Sequence, residues 1–206
     1  LYIHMNFHLD TSNDLEVYTI DNVSKDRLEE ICNLKQPVLF EYNNENLIEI
    51  VNIGKLEEMY GAFDVKIRNI DEKDKEREVY LPILLSEVVK IFQSKKNNKV
   101  IIENNNDFLE ETGLLKTFRY NDSFLRPPLV SICKYDFMSG SEESYTPLRY
   151  NISHRNYYMV TSGKVKMKLI PPTHGKYLQK ENDYDIFEFG SPVDPWEVQE
   201  NFKPEF

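Results

Sequence analysis

The apolar positions of the first 125 residues follow two alternating rhythms. "LEVYTI" (15–20) alternates apolar and polar residues and is rich in β-formers, which predicts a strand. In "VSKDRLEEIC" the residues Val23, Leu28, Ile31 and Cys32 form one helical stripe, and Ser24 is placed as its N-cap. "QPVLFEY" predicts a short buried strand, "NIGKLEEMYG" a short helix closed by Gly61, and "DVKIRN" the next strand. The charged run "DEKDKEREVY" (71–80) has no apolar period and reads as an exposed loop or hairpin. The clearest helix is "LPILLSEVVKIFQSKK", with Pro82 in its first turn and Leu85, Val88, Val89 and Phe92 on one face. "KVIIEN" predicts a strand. "DFLEETGLLKTF" predicts a helix opened by an Asp107/Glu110 capping-box spacing and weakened at Gly113.

From residue 126 the rhythm changes. "RPPLVSICKYDF", "YTPLRYN", "NYYMVTSG" and "KVKMKLIPP" read as consecutive strands separated by polar turns. Strands in series after a mixed segment predict an α+β domain built on an antiparallel barrel or sandwich. The expected organisation is a tail over 1–14 and one domain over 15–206, with a mixed α/β flank (15–125) and barrel strands (126–206).

A chain of 206 residues suffices for one sizeable core. The net charge of -10 argues against a general nucleic-acid-binding face, because phosphate is repelled by such a field. The most basic run, "GKVKMK", alternates Lys with apolar residues and reads as the wet face of one strand. No apolar run approaches membrane-spanning length. "LYIHMNFHLD" lacks the basic start of a signal peptide, and His4 and His8 are assigned to the tail rather than to a metal site. Cys32 and Cys133 are far apart and have no CxxC partner, which excludes a disulfide framework or a zinc ribbon. They are expected to be small buried residues of an intracellular, reducing compartment. P-loop, GxGxxG, GxSxG and HExxH signatures are absent.

The order Thr146-Pro147, a strand, Asn156, Tyr158, Gly163, a Lys-apolar strand and Pro171-Pro172 resembles the JmjC-like cupin family of iron- and 2-oxoglutarate-dependent hydroxylases. "KQPVLFEY", "YGAFDVKIRN" and the tail "SPVDPWEVQENFKPEF" extend the resemblance over roughly residues 15–206. It implies a double-stranded β-helix (jelly-roll) core, and a pocket that includes Thr146, Asn156, Tyr158 and Val165. The family's His-x-Asp pair falls on Arg149 and Asn151, two residues apart and so on one face of a strand. Arginine is a permanent cation with no lone pair, and asparagine is a weak neutral ligand. The position of the basic residue that pairs with 2-oxoglutarate falls on Val165, with Lys164 and Lys166 facing the other way. The last histidine, His174, follows Pro171-Pro172 too closely to be the distal ligand, and the chain is expected to stop short of the family's late strands.

The expectation is therefore a catalytically inactive member with no cofactor and a structural or protein-binding role, that of a subunit in a larger assembly included, with protein as its partner. Two alternatives stay open. One is an Fe(II)/2-oxoglutarate-dependent protein or RNA hydroxylase with displaced or missing ligands. The other is a cupin-like module binding a small acid or peptide through Arg149, whose commoner role would be an ion pair with an acid of its own chain. His154 and Arg155 read as a surface turn, Tyr157, Tyr158 and Phe137 as barrel core, and Trp196 as a partner anchor.

Overall fold

The computed structural model describes residues 16–70, 80–94, 99–149, 153–179, 181–183 and 188–197. Asn151, His4, His8 and nearly all of the charged run at 71–80 lie outside them. The fold is mixed α+β. Contacts divide the chain into two compact units: Leu1–Asn43 with Pro147–Val160 and Lys164–Phe206, and Asn44–Thr146 with Thr161–Gly163.

Among the described residues, the second unit carries most of the regular structure. Helices α2 (Glu45–Ile50) and α3 (Ile53–Tyr60) start at Asn44 and Asn52, whose side chains accept from Leu47 N and Gly54 N. Gly61 ends α3 as expected, but with φ -58 it is not left-handed. A Cβ there would come within 2.5 Å of the Glu57 carbonyl oxygen, so close approach is what requires glycine.

Strands β3 (Asp64–Asn69), β4 (Leu81–Leu84), β5 (Val100–Ile102) and β6 (Ser139–Gly140) form one antiparallel sheet in the order β4-β3-β5-β6. The helix α4 begins at Leu85 and ends at Gln93. Pro82, expected in its first turn, instead lies opposite Lys66 in β4. β4 is an edge strand, where a residue without an N–H is tolerated. The Leu85, Val88 and Val89 stripe of α4 is buried as the pattern required.

The helix expected over 107–118 is two, α5 (Asn106–Glu111) and α6 (Leu115–Arg119), broken where Gly113 takes φ +75. The Asp107/Glu110 capping box does not form. Asp107 lies inside α5 and pairs with Lys66 at 2.6 Å, while Asn106 Nδ2 donates to Glu110 at 2.8 Å. A short α7 (Asp122–Leu125) follows.

"PLVSICKYDF" is not a strand. Leu129 adopts φ 62, which breaks extended pairing, and both Leu129 and Ile132 are exposed. Side chains hold this segment instead. Asp136 accepts from the backbone N–H of Asn104, Asn105 and Phe137, Tyr135 donates to Asp122 at 2.5 Å, and buried Phe137 packs on Phe108 at 6.3 Å. Cys133 is exposed and Cys32 only half-buried, contrary to the expectation of two buried cysteines.

In the first unit, β1 (Tyr18–Ile20), α1 (Lys25–Cys32) and β2 (Val38–Phe40) make a parallel β-α-β crossover with Tyr18 opposite Val38. Ser24 caps α1 as expected, accepting from Arg27 N at 3.2 Å, and α1 buries Leu28 and Ile31. The "QPVLFEY" strand exists but is not buried: it has one ladder partner, and Leu39 is 62% exposed. A 3-10 helix over Pro172–Tyr177 precedes the antiparallel pair β7 (Glu181–Asp183) and β8 (Glu188–Gly190). No helix among the described residues is long and apolar enough to cross a membrane.

Candidate functional site

The Thr-Pro stretch keeps one piece of strand geometry. Beyond half-buried Thr146, the Leu148 carbonyl accepts from Ser191 N at 2.9 Å, and Arg149 makes an isolated antiparallel bridge with Gly190 at the end of β8. Arg149, Asn156, Tyr158 and Val165 are all exposed, so the described candidates other than Thr146 face solvent. Among the described residues, no three His, Cys, Asp or Glu side chains are grouped so as to hold a metal ion.

An iron site of the implied kind needs two imidazoles and a carboxylate converging from one face. A guanidinium at Arg149, a permanent cation without a lone pair, does not fit that donor set. Val165 likewise offers no charge to a 2-oxoglutarate carboxylate. The flanking lysine Lys166 is turned to the Trp196 ring, 5.2 Å from its centroid.

Nearby in sequence, Arg155 does more than the surface turn predicted for it. Its Nη1 donates to Glu29 of α1 at 2.8 Å and its Nη2 to Asn33 at 3.4 Å. The two paired side chains are only 12% and 19% exposed, so the charges are largely removed from water. Burial opposes the guanidinium charge, but hydrogen bonds to Glu29 and Tyr157 outweigh it and keep Arg155 firmly protonated. Burial pushes the Cys32 thiol up, against the pull of Arg155, and burial also raises the Tyr157 phenol. Cys32 therefore stays a thiol at neutral pH and is a poor nucleophile. This cluster is a structural tie between α1 and the chain after the motif. Tyr157 is on the rim of this tie, 37% exposed, rather than in a barrel core.

A third feature is a built platform. Lys166 and Lys168 lie over Trp196, at 5.2 Å and 5.0 Å from the ring centroid. Lys168 also donates to the Pro195 carbonyl. The loop carrying the indole is fixed by Asp194, which accepts from Trp196 N at 2.8 Å and Glu197 N at 3.3 Å, and by buried Val193 and Pro195. The face expected to be wet is thus partly engaged. The apolar face of the same run is bare: Val165, Met167 and Leu169 are 66%, 52% and 44% exposed. Among the described residues, no backbone–backbone hydrogen bond involves residues 153–170.

Sequence reasoning passed over the buried polar groups of the second unit. Arg68 and Glu103 form a buried ion pair with side chains 8% and 2% exposed. Asn105 accepts from Lys66 N at 2.7 Å and donates to the carbonyls of Lys66 and Glu103 at 3.0 Å and 2.8 Å. One signal was available: "KIRN" and "KVIIEN" put Arg68 within one run of β-formers and Glu103 at the end of another. They anchor the sheet rather than open a site.

Comparison with models of known protein families gives no match, and comparison with curated proteins gives none either.

Proposed function

We propose that this chain is a catalytically inactive relative of the JmjC-like cupin hydroxylases that serves as a protein-binding or structural subunit. In this reading residues 126–206 derive from the strands of a double-stranded β-helix. The observation that carries the reading is Arg149, which stands where the family's first metal-binding histidine would be, in a Thr-Pro frame that is otherwise kept. A fixed cation there repels Fe(II), and neither Asn151 nor Val165 restores the lost functions. Among the described residues, 164–169 make no backbone–backbone hydrogen bond, which favours a role in binding protein, since main-chain groups left open can pair with a partner strand.

Purified chain incubated anaerobically with Fe(II) and 2-oxoglutarate, then exposed to oxygen, is expected to release no succinate above a metal-free control. Stoichiometric Fe(II), with succinate release abolished by Asn151→Ala, would overturn the reading in favour of a hydroxylase with displaced ligands. The exposure of Arg149 supports a second reading, an anion clamp for a small acid. Titration with succinate separates the two: Arg149→Met removes binding only if the clamp exists.

A further inference from the structure

We infer that residues 164–169 form a strand-addition site for an extended peptide in which acidic and apolar residues alternate. This deepens the protein-binding reading above and rests on it. The segment "KVKMKL" alternates strictly, so an added strand would meet Lys164, Lys166 and Lys168 on one face and Val165, Met167 and Leu169 on the other. Those three apolar side chains are 44–66% exposed, and no backbone hydrogen bond engages the segment among the described residues. Main-chain pairing supplies affinity in such a mode, and alternating side chains supply specificity.

Charge decides the occupant. A second copy of the segment would place lysine opposite lysine, or lysine beside an apolar side chain after a one-residue slip, and directly opposed like charges destabilise a pair. Three lysines at every second position instead match Asp or Glu at every second position of the partner. On a chain of net charge -10 this row is locally basic, so it offers an acidic strand an attraction that the chain's net charge does not. The Trp196 ring beneath Lys166 and Lys168 restricts both side chains and holds the row in register.

The test uses three synthetic eight-residue peptides and the full chain. One alternates Glu with Val and Ile, one replaces every Glu by Lys, and one has the first peptide's composition in block order. The alternating acidic peptide is expected to bind about tenfold or more tighter than either control, and to weaken as salt is raised. Lys164→Glu, which leaves both Trp196 contacts in place, is expected to weaken it about threefold or more. Met167→Pro, which removes a ladder donor, is expected to weaken all binding. Equal binding of alternating and block peptides, or an unchanged affinity in Lys164→Glu, overturns the site. So does concentration-dependent dimerisation that the Lys164→Glu variant strengthens. Iron-dependent succinate release bears only on the loss of catalysis, so failure of the peptide arm and failure of the inactive-hydroxylase reading are separately visible.

Discussion

The two units of the chain are built on different principles. Among the described residues, fifteen of the eighteen buried apolar side chains lie in the second unit, and Leu28, Ile31 and Val193 in the first. The second unit has a four-stranded sheet, a cluster of Tyr60, Phe63, Phe108 and Phe137, and a buried ion pair. Among its described residues, the first has two two-stranded ladders, one largely buried ion pair and, over 164–169, a segment without a backbone–backbone hydrogen bond. Most of the Thr-Pro stretch, from Pro147 to Val160, belongs to this thinner unit. Burial supplies most of the stability of a domain, so the second unit is the scaffold. The first leaves the main chain of 164–169 and the side chains of Val165, Met167 and Leu169 open among the described residues, as recognition surfaces do.

The sharpest way to break this contrast is to attack the scaffold. Glu103→Gln removes the carboxylate from buried Arg68 and is expected to cost about 3–5 kcal/mol. Equilibrium urea denaturation followed by far-UV circular dichroism measures it, and a loss below about 1 kcal/mol would mean that water reaches the pair. Next comes Leu109→Ala, in a side chain that is 0% exposed, with an expected loss of about 2–5 kcal/mol.

In the thin unit the counterpart is Arg155→Met. It leaves Glu29 half-desolvated without its partner and is expected to cost about 1.5–3 kcal/mol. Its signature should be local: faster proteolysis after residues 153–170, with the far-UV spectrum retained. Cooperative loss of the whole fold would show that the two units are not energetically distinct.

The smallest effect is that of pH. Cys32 and Tyr157 are both held above their ordinary values, chiefly by burial. From about pH 8 upward the unfolded chain ionises these groups more readily than the folded one, so it binds fewer protons and stability falls as pH rises. The urea midpoint is expected to drop between about pH 8 and pH 10, and Cys32→Ala to flatten that drop.

What the sequence made legible follows the same division. The Ser24 cap, the buried face of α4 and strand β3 were readable, because a helical stripe or a run of β-formers is a local signal. Pro82 was misplaced because an edge strand and a first helical turn both accept proline, and only the pairing with Lys66 decides between them. Asn105 and Asp136 were invisible because their work is to bond the backbone of residues distant in sequence. In the candidate site, the Lys-apolar alternation was legible, but not which face is bare, since that depends on Trp196 arriving from a later loop. The Arg155–Glu29 tie joins residues far apart in the chain and has no local signature.

Amide hydrogen exchange of the isolated full chain tests the contrast most directly. The account expects amides of Val65, Ile67 and Ile102 to exchange slowly, and those of Val165, Met167 and Leu169 to exchange at nearly unprotected rates until the alternating acidic peptide is added. Protection of residues 164–169 in the chain alone would contradict it, because the strand would then already be paired within its own fold.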